Sequence, residues 1–225
     1  RYSILSIFVG NQSKLTFSAV SPLRYCKPCA SPIAVKSPVT PSASLPFSQS
    51  SLYRSLVGAL QYLTITRPDL SYAVNHACQH MHAPSLGHFA ALKRILRFVK
   101  GTLSHGLSFS PGSFSLQAYS DSNWAGDLQE RKSTSRYCVF LGSNLISWSS
   151  KKQPTVSRSS TEAKYRSLAN TTAELTSLPM LLAEFGIPQS SAPLLYCDNL
   201  SALSLATNPV FHSRSEHIEN ESHFI

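Results

Sequence analysis

The sequence predicts an α/β domain preceded by a small helical module. Three observations carry that expectation. Leucines recur at near-helical spacing from residue 52 to 63, and a second amphipathic run ends near residue 101. From about residue 114 the apolar period changes from helical to strand-like, and a period of two marks a half-buried strand. A long helical pattern then separates a hairpin from a further short apolar run. Strand, hairpin, helix, strand, helix is the order of an α/β unit.

Residues 1–50 are rich in Ser and Pro, and the stretch from Ser31 to Ser51 has the composition of a linker. In the segment 51–112, Leu52, Leu56, Leu60 and Leu63 form the stripe of a buried helix. Pro68 suits a first helical position and opens a second helix through Ala73, Val74 and Cys78. Ser85 caps a third helix, which has Phe89, Leu92, Ile95, Leu96 and Val99 on one face and Lys93, Arg94, Arg97 and Lys100 on the other. Gly101 ends it. Pro111-Gly112 marks a boundary, and the segment 113–225 forms the second unit. There Leu116–Tyr119 is a short strand leading to Asp121. Tyr137–Leu141 and Leu145–Trp148 flank Gly142-Ser143-Asn144 as a hairpin. A helix from about Ser160 to Phe185 carries Leu168, Leu175, Leu178, Leu182 and Phe185 as its stripe. Leu194–Cys197 is a short strand, followed by a helix over about 199–206.

Hydrophobic residues make up 42% of the chain, which suits a globular protein. Lys and Arg outnumber Asp and Glu by 20 to 11, for a formal charge of +9. A balance this basic favours a polyanionic partner, most simply nucleic acid, over charge carried only for solubility. Five cysteines, with only Cys26 and Cys29 closely spaced, make neither a disulfide framework nor a strong zinc motif. No apolar run approaches the roughly 20 residues of a membrane helix. The first residue is Arg1, without an initiator Met or a signal-peptide pattern, so the chain reads as a piece of something longer.

Three acidic residues sit where they can converge on one metal site. Asp121 and Asp198 end apolar, strand-like runs, and Glu162 lies in the first turn of the long helix. Clustered carboxylate oxygens suit hard divalent cations, and ligand sites in open α/β sheets lie beyond the carboxyl ends of the strands. Each residue also has a local reading. Asp121 suits an Asx-turn, Glu162 completes a capping box with Ser159, and Asp198 suits a helix N-cap. Ala169 and Ala173, on the face of Glu162, permit a close approach of helix to sheet.

Longer words carry a resemblance. Tyr119-Ser120-Asp121-Ser122-Asn123-Trp124-Ala125-Gly126, Ser133-Thr134-Ser135, Ile146-Ser147-Trp148-Ser149-Ser150-Lys151-Lys152-Gln153, Ser159-Ser160-Thr161-Glu162-Ala163 and Cys197-Asp198-Asn199 resemble the ribonuclease H domain of copia-type retrotransposon Pol polyproteins. Leu52–Leu63, Thr66-Arg67-Pro68-Asp69 and Ala91–Leu96 resemble the thumb or connection region between the reverse-transcriptase palm and that domain. The resemblance implies an RNase H-like mixed sheet with flanking helices and hydrolysis of the RNA strand of RNA–DNA hybrids. It implies two Mg²⁺ ions, or Mn²⁺ in their place, held by Asp121, Glu162, Asp198 and a fourth carboxylate, Glu219 or alternatively Glu221. His212 is an accessory candidate for metal or product exchange. Lys93, Arg94, Arg97, Lys100, Lys151 and Lys152 are the candidate nucleic-acid contacts. The expected partners are the hybrid and the palm of a full-length polyprotein, with no membrane. The expected setting is intracellular, in a cytoplasmic particle or the nucleus.

The chain departs from the family pattern in places. It has no Asp-Asp pair, so it lacks a palm metal site and cannot itself synthesise DNA. Asn123 stands for an expected Asp, Arg136 for Gly and Lys164 for an acidic residue. Asn220 disturbs the segment of the fourth carboxylate. Pro179 falls inside the long helix, at a cost of about 3 kcal/mol. These departures keep a second reading open, an inactive remnant that binds nucleic acid through its basic faces.

Overall fold

The leucine stripes of the first segment meet in a single core. The computed structural model describes residues 26–34, 41–127, 129–189 and 191–207, and the chain divides into two units between Leu107 and Ser108. In the first unit, helices α1 (Ser50–Leu63), α2 (Ser71–Cys78) and α3 (Leu86–Gly101) surround Leu56, Leu60, Leu70, Val74, Leu92 and Leu96, all nearly inaccessible. A 3₁₀ turn, Pro68–Leu70, leads into α2. Leu52 and Phe89, expected in the stripes, are only partly buried and pack at the rim.

The cap expected at Ser85 forms with an unusual partner. Ser85 Oγ accepts from the His88 amide, and His88 Nδ1 accepts from the Ser85 amide, so an imidazole completes the capping box. Gly101 ends α3, as the sequence predicts. Its missing side chain makes room for Pro28, whose Cβ lies 3.0 Å from where a Cβ would stand. Arg67 is 1% exposed. It grips both Asp69 oxygens, at 2.9 and 2.7 Å, and donates to the carbonyl and hydroxyl of Thr102. A buried guanidinium is tolerated only when paired and hydrogen-bonded, and Arg67 meets both conditions.

The second unit is built on a four-stranded mixed sheet in the order β3-β2-β1-β4. Strands β1 (Leu116–Asn123), β2 (Thr134–Leu141) and β3 (Asn144–Lys152) form an antiparallel meander, and β4 (Leu194–Cys197) pairs parallel with β1. The flanking helices are α4 (Ser160–Glu184) and α5 (Leu200–Thr207). This mixed sheet with flanking helices is the α/β architecture that the sequence predicts, and it is compatible with an RNase H-like fold. The hairpin turn is Gly142-Ser143. Gly142 has φ +59°, and a side chain there would meet the carbonyl oxygen of Ser113, so glycine is required.

Helix α4 covers one face of β1. Val139, Ala118, Leu116 and Leu175 form one apolar cluster, and Tyr165, Leu168 and Ala202 form another. The close approach is made by hydroxyls together with the buried Ala169. Ser120 Oγ donates to Ser167 Oγ, and Thr171 lies 3.0 Å from Ser120, while Ala173 is only half-buried. The apolar stripe also ends early. Leu178 and Leu182 pack against the core, but Phe185 is 71% exposed. Helix α4 runs through Pro179. No helix among the described residues is long and apolar enough to cross a membrane.

Candidate functional site

The parallel pairing of β4 with β1 brings two aspartates together. Tyr119 pairs with Tyr196 and Ser120 with Cys197, so Asp121 and Asp198 follow at the same end of adjacent strands. Asp121 lies within β1 rather than beyond it, which removes the Asx-turn reading. Asp198 follows β4 directly, and the cap of α5 is its neighbour, since Asn199 Oδ1 accepts from the Ala202 amide at 2.8 Å. Both carboxylates therefore avoid the local duties that their types usually perform. They are also open to solvent, 54% and 70% exposed.

A cation already stands between them. Lys164 Nζ lies 3.2 Å from Asp121 Oδ1 and also pairs with Asp198 Oδ1, and its side chain is only 15% exposed. Burial alone would lower the lysine pKa, but the hydrogen bonds to Asp198 and Asp121 outweigh it and raise the value. The hydrogen bond from Lys164 likewise holds Asp198 below the usual carboxylate range.

Glu162 is turned to other partners. Its amide donates to Ser159 Oγ, while its Oε2 accepts from the Arg158 amide at 2.8 Å. Its Oε1 pairs with Arg166 at 3.0 Å, one helical turn on. Half of the expected capping box forms: Ser159 caps the Glu162 amide, but the Glu162 carboxylate takes the Arg158 amide instead of that of Ser159. No group of three or more His, Cys, Asp or Glu residues able to hold a metal ion occurs among the described residues. Glu219, Glu221 and His212 lie outside them, as does Asn220.

The two aspartates match a hard cation in donor type, and no third His, Cys, Asp or Glu joins them among the described residues. Two carboxylates from adjacent strands offer oxygen ligands, and the Lys164 ammonium is a positive stand-in at the same place. Asp121 and Asp198 are the residues that would hold a metal ion here.

Several residues position the site in ways that their sequence words do not reveal. Gln153 is 4% exposed and knits three elements. Its Nε2 donates to Ser135 Oγ and to the Ala163 carbonyl, both at 2.9 Å, and its Oε1 accepts from Ser157. This fixes the first turn of α4, which carries Glu162 and Lys164. Ser167 Oγ donates to the Asp121 carbonyl at 2.7 Å, tying the same helix to the strand beneath the carboxylate. Arg136 of β2 stands opposite Asp121 of β1 in the strand register.

The candidate nucleic-acid contacts divide in two. In the first unit, Arg94, Arg97 and Lys100 donate to the carbonyls of Ser31, Lys27 and Cys26, strapping that segment to α3. Lys93 lies 5.0 Å over the Phe89 ring. In the second unit, Lys152 pairs with Asp127 and Glu130, at 2.6 and 2.9 Å, whereas Lys151 is exposed.

The chain is 52% identical over 200 residues to the retrovirus-related Pol polyprotein from transposon RE2 of Arabidopsis thaliana, and 50% identical over 200 residues to that from transposon RE1. It is 37% identical over 174 residues to the Pol polyprotein from transposon TNT 1-94 of Nicotiana tabacum. The chain is a homologue of transposon Pol polyproteins. The matches cover 88%, 88% and 77% of this Pol-related chain but only 14%, 14% and 13% of the three polyproteins. No protein-family model matches the Pol-related chain, and no solved structure matches it.

Proposed function

We propose that this chain is the ribonuclease H region, with part of the preceding connection, of a copia-type retrotransposon Pol protein. In this reading it hydrolyses the RNA strand of RNA–DNA hybrids. The observation that carries the reading is the convergence of Asp121 and Asp198 at one end of neighbouring parallel strands. The homology to transposon Pol polyproteins supports the setting, because hybrids arise during reverse transcription. The net charge of +9 supports a nucleic-acid partner.

Asp121 and Asp198 hold the divalent metal in this reading, joined by Glu162 and by Glu219 or Glu221. When bound, the metal supplies Lewis-acid stabilisation of phosphoryl oxygens and a water nucleophile at neutral pH. The residues themselves orient and support. Ser167 fixes the backbone at Asp121, and Gln153 fixes the helix start that carries Glu162. Glu162 has to leave Arg166 to serve as a ligand, a change open to a side chain on the first helical turn. Lys151 contacts the phosphate backbone. The palm of a longer polyprotein supplies the polymerase that this chain lacks.

The decisive experiment is cleavage of a labelled RNA–DNA hybrid in Mg²⁺ beside an Asp198→Asn variant. The expected result is a loss of about a thousandfold in the variant, since metal charge stabilisation is worth several kcal/mol at tenfold per 1.4 kcal/mol. Cleavage that persists in Asp198→Asn would defeat the assignment. A second reading, nucleic-acid binding without hydrolysis, is favoured by one observation, the engagement of Glu162 with Arg166. A folded parent protein that binds the hybrid and leaves it intact would establish that second reading instead.

A further inference from the structure

We propose that Lys164 is an internal counter-cation that competes with divalent metal for Asp121 and Asp198, and so sets how much metal the site requires. The inference rests on the reading of the acidic pair given above and concerns its regulation.

Three features support it. The Lys164 ammonium touches both carboxylates at once, where a shared metal would have to bind. Its side chain is 15% exposed while the carboxylates are 54% and 70% exposed, so the lysine approaches from the protein side and leaves the open side free. Its backbone is also held. Ser159 caps the helix, and Gln153 anchors the carbonyl of the preceding residue, Ala163.

The charge arithmetic gives the consequence. Two carboxylates present a charge of −2, and one ammonium among them leaves −1. An incoming divalent ion therefore meets about half the net attraction, the difference being the repulsion of the ammonium. Lysine is a point charge on a flexible four-carbon stem, so it can withdraw without unfolding α4. Metal entry and lysine withdrawal are thus a single exchange.

The test is Mn²⁺ binding to the full chain without nucleic acid, followed by calorimetry and by the loss of free-ion electron paramagnetic resonance signal. Lys164→Gln is expected to bind Mn²⁺ about tenfold more tightly than the parent, because the competing charge is gone. Lys164→Arg, which keeps the charge, is expected to stay close to the parent. Adding Asp121→Asn to Lys164→Gln is expected to abolish the gain. Should Lys164→Gln not fold, Lys164→Ala removes the same charge and is read in the same way. Equal affinities in the parent and the neutral variant would overturn the inference, and so would a gain that survives Asp121→Asn.

Hybrid cleavage separates this inference from the functional reading. Equal Mn²⁺ affinities with cleavage intact sink the role of Lys164 and spare the nuclease. Tighter Mn²⁺ binding with no cleavage by either protein sustains the role of Lys164 and sinks the nuclease.

Discussion

Gln153 shows how one side chain can organise a site without being part of its chemistry. It is buried and makes bonds to β2, to the loop before α4 and to the first turn of α4. Gln153→Ala leaves the Ser135 hydroxyl and the Ala163 carbonyl short of a partner, a desolvation cost of about 1–3 kcal/mol. The expected outcome is a lower urea midpoint with an unchanged slope. Asp127 gives a second prediction at this scale. The hydrogen bond from Lys152, helped by the amides of Glu130 and Gln129, lowers its pKa from 3.8 to about 2. A carboxylate depressed on folding adds stability that is fully present above its unfolded value. That stability is lost as the pH falls from 3.8 toward about 2. Asp127→Asn is therefore expected to flatten the decline of the thermal midpoint across that interval. The sequence shows that Asp121, Glu162 and Asp198 are candidates, because each sits at a recognisable strand or helix end. It does not show Lys164 as their shared partner, because that bridge exists only once the long helix has packed on β1 and β4 has paired beside it. Gln153 is hidden for the same reason, since its partners are set by packing rather than by spacing.

Among the elements, the helices of the first unit are the most legible, because a strong 3.6-residue apolar period and a Ser cap leave little freedom. Helix α4 is legible at its start and misleading at its end. Its apolar period continues past Pro179 to Phe185, yet the core ends at Leu182 and Phe185 stands in solvent. Periodicity records which residues share a face, and the length of the sheet decides how much of that face is covered. Proline at 179 cannot donate to the carbonyl of Leu175, one turn earlier, and its ring crowds that turn. Pro179→Ala is expected to stabilise the second unit by about 3 kcal/mol, read as a higher urea midpoint. An unchanged midpoint would mean that the helix beyond Leu175 adds nothing to the cooperative fold. The sequence also places β1 too short, since its last inward-facing residues are polar: Ser120 bonds to Ser167 and Thr171 of α4, and Ser122 is buried beside Gln153.

For the whole molecule, the charge of +9 sets an expectation for binding, and the contacts described above say which cations deliver it. Hybrid affinity should fall linearly with salt on logarithmic axes. Lys151→Ala is expected to reduce that slope by about one, since Lys151 is exposed. Lys152→Ala is expected to leave the slope nearly unchanged, because Asp127 and Glu130 already neutralise it. Equal slope changes from the two variants would show that the ion cluster opens on binding. Net charge alone, as the sequence supplies it, cannot distinguish these two neighbours.

The parallel pairing of β1 with β4 has a consequence in time. Between the two strands the chain must complete the hairpin and the whole of α4, and closing so long a loop is entropically costly and slow. A nascent or half-assembled chain can therefore own a finished meander while its two aspartates are still far apart. Whatever the pair does begins only when the last strand docks, so an unfinished molecule is silent by construction.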